Sequence, residues 1–188
     1  MTTFLRKIGS FFLDILQTIV LAAAIFVISY LFLFQPHQVI GNSMDPNFED
    51  QEYILTDKIS YRFRSIQRGD VIVFKSPPDP ERDYIKRVIG LPNEKIKIQG
   101  GKVLVNNQLI RENYLPPENF AIPGTFLKEG QEFQIPSDSY IVLGDNRDHS
   151  SDSREWGPVP RENIIGRAFF RYWPLEKINL VPEVNYAP

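Results

Sequence analysis

The sequence lacks cysteine altogether, has only two histidines, and contains no run of basic residues. Without cysteine, thiol catalysis, disulfides and thiolate metal sites are excluded. The 21 Lys and Arg nearly balance the 23 Asp and Glu, giving a net charge of −2, and 43% of the residues are apolar. A nucleic acid partner is therefore not expected, because phosphate binding needs a basic surface. A chain of this composition should fold as an ordinary globular protein.

The first 34 residues also lack proline and carry only three charges, Arg6, Lys7 and Asp14. Residues 15–34 contain no charge, and a helix of that length spans about 30 Å, the thickness of a bilayer's hydrocarbon core. The sequence therefore predicts a transmembrane helix over 15–34, ended by Pro36. The alternative is a cleaved secretory signal, but the apolar run ends in LFLF, where a signal would have small residues before its cleavage site.

The distribution of basic residues predicts the orientation of this helix. Arg6 and Lys7 precede it, whereas no Lys or Arg occurs between Gln35 and Asp57. Because basic residues flank the cytoplasmic end of a membrane helix, residues 1–14 should form a short cytoplasmic N-terminus. Residues 35–188 should then fold on the extracytoplasmic side.

Residues 35–188 should form a mainly β, antiparallel domain. Their apolar residues come in short runs rich in Val, Ile, Phe and Tyr, which favours strands. The pairs Gly100-Gly101 and Asn106-Asn107 predict two tight turns that join strands into hairpins. Surface loops are expected at 77–83 and 113–124. No run after position 36 has a convincing helical period.

Two short blocks could carry nucleophilic chemistry. GNSMDPNF places Ser43 between a flexible Gly and a rigid Pro, which suits a hydroxyl presented on a turn, although such a Ser is usually only a turn residue. In YIKRVIG, the period of two puts Tyr84, Lys86 and Val88 on one face of a strand. Burial there would lower the pKa of Lys86 and make its amine a base near neutral pH. The alternative is a lysine on an edge strand.

Two further blocks are RGDVIVF, interpreted as a turn and a buried scaffold strand, and the polar run GDNRDHSSDSR. The polar run is compatible with a solvated loop. Calcium binding is disfavoured because the spacing lacks the glycine and glutamate of an EF-hand loop. A metal site built from His149 with Asp145, Asp148 and Asp152 remains an alternative.

In this order and behind such a helix, NSMDP, RGDVIVF, YIKRVIG and GDNRDHSSDSR resemble the boxes of bacterial-type signal peptidase I, the membrane-bound Ser/Lys leader peptidases. The resemblance implies a β-rich endopeptidase without cofactor or metal that removes signal peptides from preproteins. It implies Ser43 as nucleophile, Lys86 as general base, and Ser150 as a hydrogen-bonding partner that orients the lysine. It also implies two charged pairs, Asp152 with Arg154 and Asp145 with Arg87.

The sequence departs from the family pattern at three places. Gly41 stands where some members have a serine that completes the oxyanion hole, so Asn42 or a backbone group would have to supply the second donor. Asn47 and Phe48 replace the frequent Thr-Leu, which should affect only packing of the turn. His149 occupies a variable position and is assigned no catalytic role.

Substrate binding and location follow from the same resemblance. A cleavage region is extended, so it should add to an exposed strand edge. The expected bracketing segments are Val39, Ile40, Gly41 and Asn42 on one side, and Asp83, Tyr84 and Ile85 on the other. Residues 91–143 resemble the family's variable insertion. The implied partners are preproteins, the lipid bilayer and the export machinery, and the implied location is the plasma membrane, with the thylakoid as an alternative.

Two other classes of protein remain open. A self-cleaving Ser/Lys repressor-type protease shares this chemistry, but it would carry a DNA-binding domain in place of a bilayer-length helix. An anchored β-rich adaptor would explain the helix and the loops. It gives no reason for Ser43, Lys86 and Ser150 to occur together in these blocks.

Overall fold

The computed structural model describes residues 2–184 and 186 and begins with one long helix. This helix, α1, covers Thr2–Phe32. Its segment Phe11–Tyr30 is long and apolar enough to cross a bilayer, and none of that segment is buried within the protein. An apolar helix that packs on nothing in its own chain is typical of a segment that is covered by lipid.

The ends of this helix differ from those of the predicted transmembrane segment 15–34. The helix continues through the described part of the predicted N-terminal segment 1–14, because nothing there breaks a helical backbone. It ends at Phe32, before the predicted boundary at 34 and well before Pro36. The reason is that Phe34–Gln38 forms a strand paired with Tyr53–Asp57, and this strand accommodates Pro36 at a sheet edge.

The rest of the chain is mainly antiparallel β-structure, as expected. The described strands are β1 Phe34–Gln38, β2 Tyr53–Asp57, β3 Val71–Ser76, β4 Asp79–Gly90, β5 Lys95–Gln99, β6 Lys102–Val105, β7 Gln108–Leu109, β8 Phe133–Gln134, β9 Ser139–Leu143, β10 Val159–Pro160, β11 Ile164–Trp173 and β12 Asn179–Leu180. One helical turn, α2, covers Ser153–Trp156. It was not predicted, because four residues are too few to show a helical period.

The larger sheet runs in the order β1-β2-β11-β3-β4-β9-β10, with β12 beside β11. Its inner strands β3 and β9 are almost entirely buried, as the apolar runs VIVF and YIVL require. RGDVIVF is thus a turn and a scaffold strand, as predicted. Along β4, only Arg87–Gly90 pair with β9, whereas Asp79–Lys86 pair with β3 alone. One edge of β4 is therefore open just before it reaches β9.

The smaller sheet has the order β7-β6-β5-β8 and contains both predicted hairpins. Gly100, Gly101, Asn106 and Asn107 all have positive φ angles, as tight two-residue hairpin turns require. The apolar face of this sheet packs against Ile89, Ile141 and Leu143 of the larger sheet. The two sheets therefore share one core.

Two of the predicted segment boundaries differ from the structure. Residues 77–83 are not one loop, because only Pro77 and Pro78 form the turn and β4 begins at Asp79. Pro80 is tolerated because this part of β4 has an open edge. The interval 91–143 does not form one structural unit, since its last strand, β9, pairs with β4 in the larger sheet. The predicted loop at 113–124 contains no strand or helix.

Candidate functional site

Ser43 lies on a tight turn that packing holds in place. The backbone enters the turn at Gly41, whose φ of +84° suits glycine, and the Gly41 N–H donates to Asp50 Oδ1 at 2.7 Å. After Ser43, the N–H of Phe48 donates to the carbonyl of Met44 at 2.9 Å. Met44 and Phe48 are buried in the core of the larger sheet. Ser43 itself is half-buried and faces a cleft.

Lys86 approaches Ser43 from β4. Its side chain is 4% exposed, and its Nζ lies 2.7 Å from Ser43 Oγ. The amine also donates to the Ile85 carbonyl at 2.9 Å and lies 5.4 Å from the centre of the Tyr84 ring. Lys86 does lie on the open part of β4, as the alternative of a lysine on an edge strand had it, but its side chain is buried and contacts Ser43.

Burial lowers the pKa of Lys86 to about 8 from its ordinary value of 10.5. The negative charges of Asp152 and Asp145 oppose this fall, and the positive charge of Arg154 adds to it. Desolvation has the largest effect, because an ammonium loses hydration that two distant carboxylates do not replace. A measurable fraction of neutral amine is thus present near neutral pH, in hydrogen-bonding contact with a hydroxyl.

The predicted pair of Arg87 and Asp145 is formed and buried. Arg87 Nε and Nη2 donate to the two oxygens of Asp145 at 2.8 Å and 2.6 Å. A third guanidinium nitrogen, Nη1, donates to the Gly69 carbonyl at 3.0 Å, and the Tyr114 ring covers the guanidinium at 4.1 Å. The pair anchors the start of the polar loop to β4.

The second predicted pair, Asp152 with Arg154, braces the same loop from its other end. The Arg154 guanidinium donates twice to the Asp152 carboxylate, each time at 2.8 Å, and the Arg154 N–H donates to it at 3.1 Å. The same carboxylate accepts from the Gly144 N–H at 2.9 Å. Because both carboxylates are fully buried and paired, the loop that faces Ser43 has a fixed shape.

The expected hydrogen bond from Ser150 to Lys86 is not formed. Ser150 Oγ is buried and has no hydrogen-bond partner. The lysine amine contacts Ser43 and the Ile85 carbonyl instead. Ser150 nevertheless lies against the site, because a Cβ on Gly144 would clash with both Ser150 Oγ and the Ser43 carbonyl oxygen. Only glycine fits between them.

A cleft of about 590 Å³ opens beside Ser43 and Lys86. Of the predicted substrate-binding residues, it is lined by Val39, Ile40, Asp83, Tyr84 and Ile85. Gly41 and Asn42 lie outside this lining, so their contact with substrate stays a prediction. The chain turns away at Gly41, and the Asn42 carbonyl accepts a hydrogen bond from Asn146 Nδ2 at 3.0 Å. The cleft is also lined by residues that were not predicted: His37, Gln38, Ile54, Val73, Arg82 and Ser151.

Two asparagines join the Ser43 turn to the polar loop. The Asn146 N–H donates to the Ser43 carbonyl at 3.1 Å. Asn47 Nδ2 donates to Asp145 Oδ2 at 2.9 Å and to the Tyr114 carbonyl at 3.1 Å. Asn146 lies within the polar block GDNRDHSSDSR, so the sequence contains a signal from which its place in the site could have been predicted. No pattern in the sequence singles out Asn47, and the expectation that Asn47 affects only packing of the turn is wrong.

His149 contacts this network only at its exposed margin, through Asn146. It is exposed, and its Nδ1 lies 3.3 Å from Asn146 Oδ1. Asp145 and Asp152, which the metal alternative would use, are each paired with an arginine. Across residues 2–184 and 186, no three His, Asp or Glu side chains are placed to hold a metal ion.

Comparison with known proteins shows which family and which proteins this chain is similar to. The family described as signal peptidase, peptidase S26, matches residues 12–173. A signal peptidase I of Leptolyngbya laminosa is 38% identical over 96% of this chain and 89% of its own length. A probable signal peptidase I-2 of Synechocystis is 36% identical over 91% of this chain and 78% of its own length. A solved signal peptidase I from Enterococcus faecalis is 28% identical, covering 55% of this chain and 97% of that one, with a TM-score of 0.45.

Proposed function

The chain belongs to the signal peptidase family, peptidase S26, and we propose that it cleaves signal peptides from exported preproteins with Ser43 as nucleophile and Lys86 as general base. The observation that carries this proposal is the 2.7 Å contact between Lys86 Nζ and Ser43 Oγ beside a cleft. A serine hydroxyl is a weak nucleophile unless a neighbouring base takes its proton. In this site the buried amine of Lys86 is the base that contacts the Ser43 hydroxyl.

The proposed reaction moves one proton in each step. Neutral Lys86 accepts the Ser43 Oγ proton as that oxygen attacks the scissile carbonyl, and it then gives the proton to the leaving amine. The resulting ester joins Ser43 to the new carboxyl end of the signal peptide. Lys86 next takes a proton from water, whose oxygen attacks the ester, and returns it to Ser43 Oγ. The products are the mature protein and the free signal peptide.

The developing oxyanion needs hydrogen-bond donors. The backbone N–H of Ser43 is one donor in this proposal. Gly41 has no hydroxyl to offer, so the second donor would come from Asn42, whose side chain is exposed beside the nucleophile, or from a backbone group. The mechanism requires no metal and no cofactor.

The open edge of β4 supports binding of an extended peptide. In the described part of the chain, no strand pairs with the outer edge of Asp79–Lys86. A peptide that adds to this edge satisfies its own backbone hydrogen bonds. Its scissile bond would then lie at the Lys86 end, beside Ser43.

The direct test uses the purified full-length protein, in detergent, with a preprotein that has small residues at the first and third positions before its cleavage site. We expect one cut after that pair, and none with Ser43→Ala protein. An uncut preprotein would favour the anchored adaptor, and cleavage of the chain by itself would favour the repressor-type protease.

A further proposal concerns topology, with α1 as a single membrane anchor in the plasma membrane or, alternatively, the thylakoid. Arg6 and Lys7 should keep the N-terminus cytoplasmic. In sealed right-side-out vesicles, added protease is expected to digest residues 35–188 and to leave an N-terminal tag intact. Lysed vesicles serve as the control, in which the tag is also digested. A tag that is digested in sealed vesicles would mean the opposite orientation.

A further inference from the structure

Residues 58–68, which join β2 to β3, contain four basic residues and no acidic one: Lys58, Arg62, Arg64 and Arg68. This segment, the basic loop, begins beside the end of α1, because the Lys58 N–H donates to the Leu33 carbonyl at 3.0 Å. Five residues further on, Phe63 lies at most about 20 Å from that point, and the 3₁₀ turn Ser60–Arg62 shortens the path. The basic loop is therefore close to the surface of any membrane that α1 crosses.

A fixed turn holds Phe63 away from the rest of the protein. Its neighbours Tyr61 and Ile66 pack into the core formed with β3 and β9, whereas Phe63 is 85% exposed. The N–H groups of Phe63 and Arg64 both donate to the Ser60 carbonyl, at 3.0 Å and 2.9 Å. The turn thus presents an aromatic ring between two arginines. Membrane-surface segments place this combination at the boundary between lipid headgroups and acyl chains.

A cavity of about 490 Å³ opens beside Phe63. Three arginines line it: Arg62, Arg64 and Arg161. Among the lining residues that the structure describes, Asp138 is the one acidic residue. The cavity therefore carries an excess of positive charge, which favours an anionic ligand.

Contacts with Tyr61 hold two of these arginines in place. The guanidinium groups of Arg64 and Arg161 lie 5.3 Å and 5.7 Å from the centre of the Tyr61 ring. Arg161 Nη2 also donates to the Tyr61 carbonyl at 3.2 Å. Because these side chains are already ordered, binding of an anion costs little conformational entropy.

The buried Asp70 carboxylate also contacts Arg64, but it does not cancel the positive charge. Asp70 Oδ1 lies 3.4 Å from Arg64 Nη2 and 3.4 Å from Arg167 Nε, so two guanidinium groups share one negative charge. Both contacts are long. Arg64 therefore keeps the capacity to bind a phosphate oxygen.

We propose that the basic loop and Arg161 bind the headgroup of an anionic phospholipid, with Phe63 against the upper part of its acyl chains. A free anion would contact only the arginines, whereas a phospholipid also covers the exposed ring. The proposal rests on α1 as the membrane anchor and does not depend on the peptidase reaction. Binding would hold the β domain, and with it the cleft, at a set distance from the bilayer.

The absence of cysteine allows one probe to be placed beside Phe63. Full-length Ser65→Cys protein, labelled at that thiol with a fluorophore, is reconstituted into vesicles that contain a quenching spin-labelled lipid. One set consists of phosphatidylcholine, and the other is an equal mixture of phosphatidylcholine and phosphatidylglycerol. We expect clearly stronger quenching in the mixed vesicles, because each arginine near an anionic surface strengthens binding about fivefold.

Two further substitutions in the labelled protein test the two parts of the site. Arg62 is exposed, so Arg62→Glu should leave the fold intact and lower the docking equilibrium constant in mixed vesicles by at least about fivefold. Phe63→Ser keeps the arginines and should also reduce the quenching. Lys95→Glu makes the same change of charge at an exposed residue of the smaller sheet and should have no effect.

Each contrary result is distinct. Equal quenching in the two kinds of vesicle would show that anionic headgroups are not bound, and equal effects of Arg62→Glu and Lys95→Glu would reduce the contact to net charge. Either result overturns the lipid site. Release of the protein from vesicles by an alkaline wash would overturn the anchor and this site together. Preprotein cleavage plays no part in the readout, so these results leave the proposed peptidase function unaffected.

Discussion

Replacing Ser43 with alanine or Lys86 with methionine is expected to lower kcat/KM on a preprotein by at least about 10³-fold. The two side chains act as one unit, because the amine is useful only with the hydroxyl 2.7 Å away. The double variant should therefore be no less active than either single variant. Rates of preprotein cleavage under single-turnover conditions measure this directly.

Matched controls separate chemistry from folding. Ser137 and Lys95 are exposed and lie outside the cleft, so Ser137→Ala and Lys95→Met should retain full activity. Lys86→Met should unfold at or above the wild-type temperature at pH 7, because it removes a buried ammonium whose lowered pKa corresponds to a net cost of about 3 kcal/mol. Substantial turnover by Lys86→Met would eliminate Lys86 as the base.

Replacing Arg87 with methionine is expected to cause the largest loss of stability. It would leave the fully buried Asp145 carboxylate without its cation, with the Asn47 amide as a remaining donor. Breaking a buried ion pair in this way costs about 3–5 kcal/mol. For a chain of this size the melting temperature should fall by roughly 6–20 °C. Thermal unfolding of the detergent-solubilised protein is the measurement.

An exposed ion pair provides the comparison for this experiment. Lys95 and Glu132 are 2.8 Å apart, but their side chains are 54% and 39% exposed. Lys95→Met should therefore change stability by less than about 1 kcal/mol. Equal effects of Arg87→Met and Lys95→Met would show that the Asp145 pair does not brace the polar loop.

The features predicted correctly from the sequence depend on local rules or on the family resemblance. Paired Gly and Asn residues determine hairpin turns by their positive φ angles, so both hairpins were predictable. The resemblance placed Ser43 and Lys86 in blocks that the fold brings together. Period two within β4 placed Lys86 and Tyr84 on one face, as their contact confirms.

The remaining features depend on contacts between distant segments, which no local pattern encodes. Pro80 argues against a strand, yet an open sheet edge accommodates it. Asn47 is a turn residue in sequence, and only the fold brings its amide to Asp145. His37 of β1 lies 3.5 Å from Asp83 of β4 and lines the cleft, and the sequence contains no sign that these two strands come together.

The folded-state pKa of Lys86 also affects stability with a definite sign. Between about pH 8 and 10.5 the unfolded chain binds a proton at Lys86 that the folded chain releases. The free energy of unfolding should therefore rise with pH through this window, and the full penalty should apply below it. Lys86→Met should lack this rise.

The central claim is that a neutral, buried Lys86 activates Ser43, and the pH dependence of kcat/KM on a peptide substrate tests it most directly. Because burial lowers the pKa of Lys86 to about 8, the rate should rise with pH along a limb centred near that value and then level off. A limb centred near 10.5, the pKa of an ordinary lysine, would show that the amine is solvated and would contradict the mechanism.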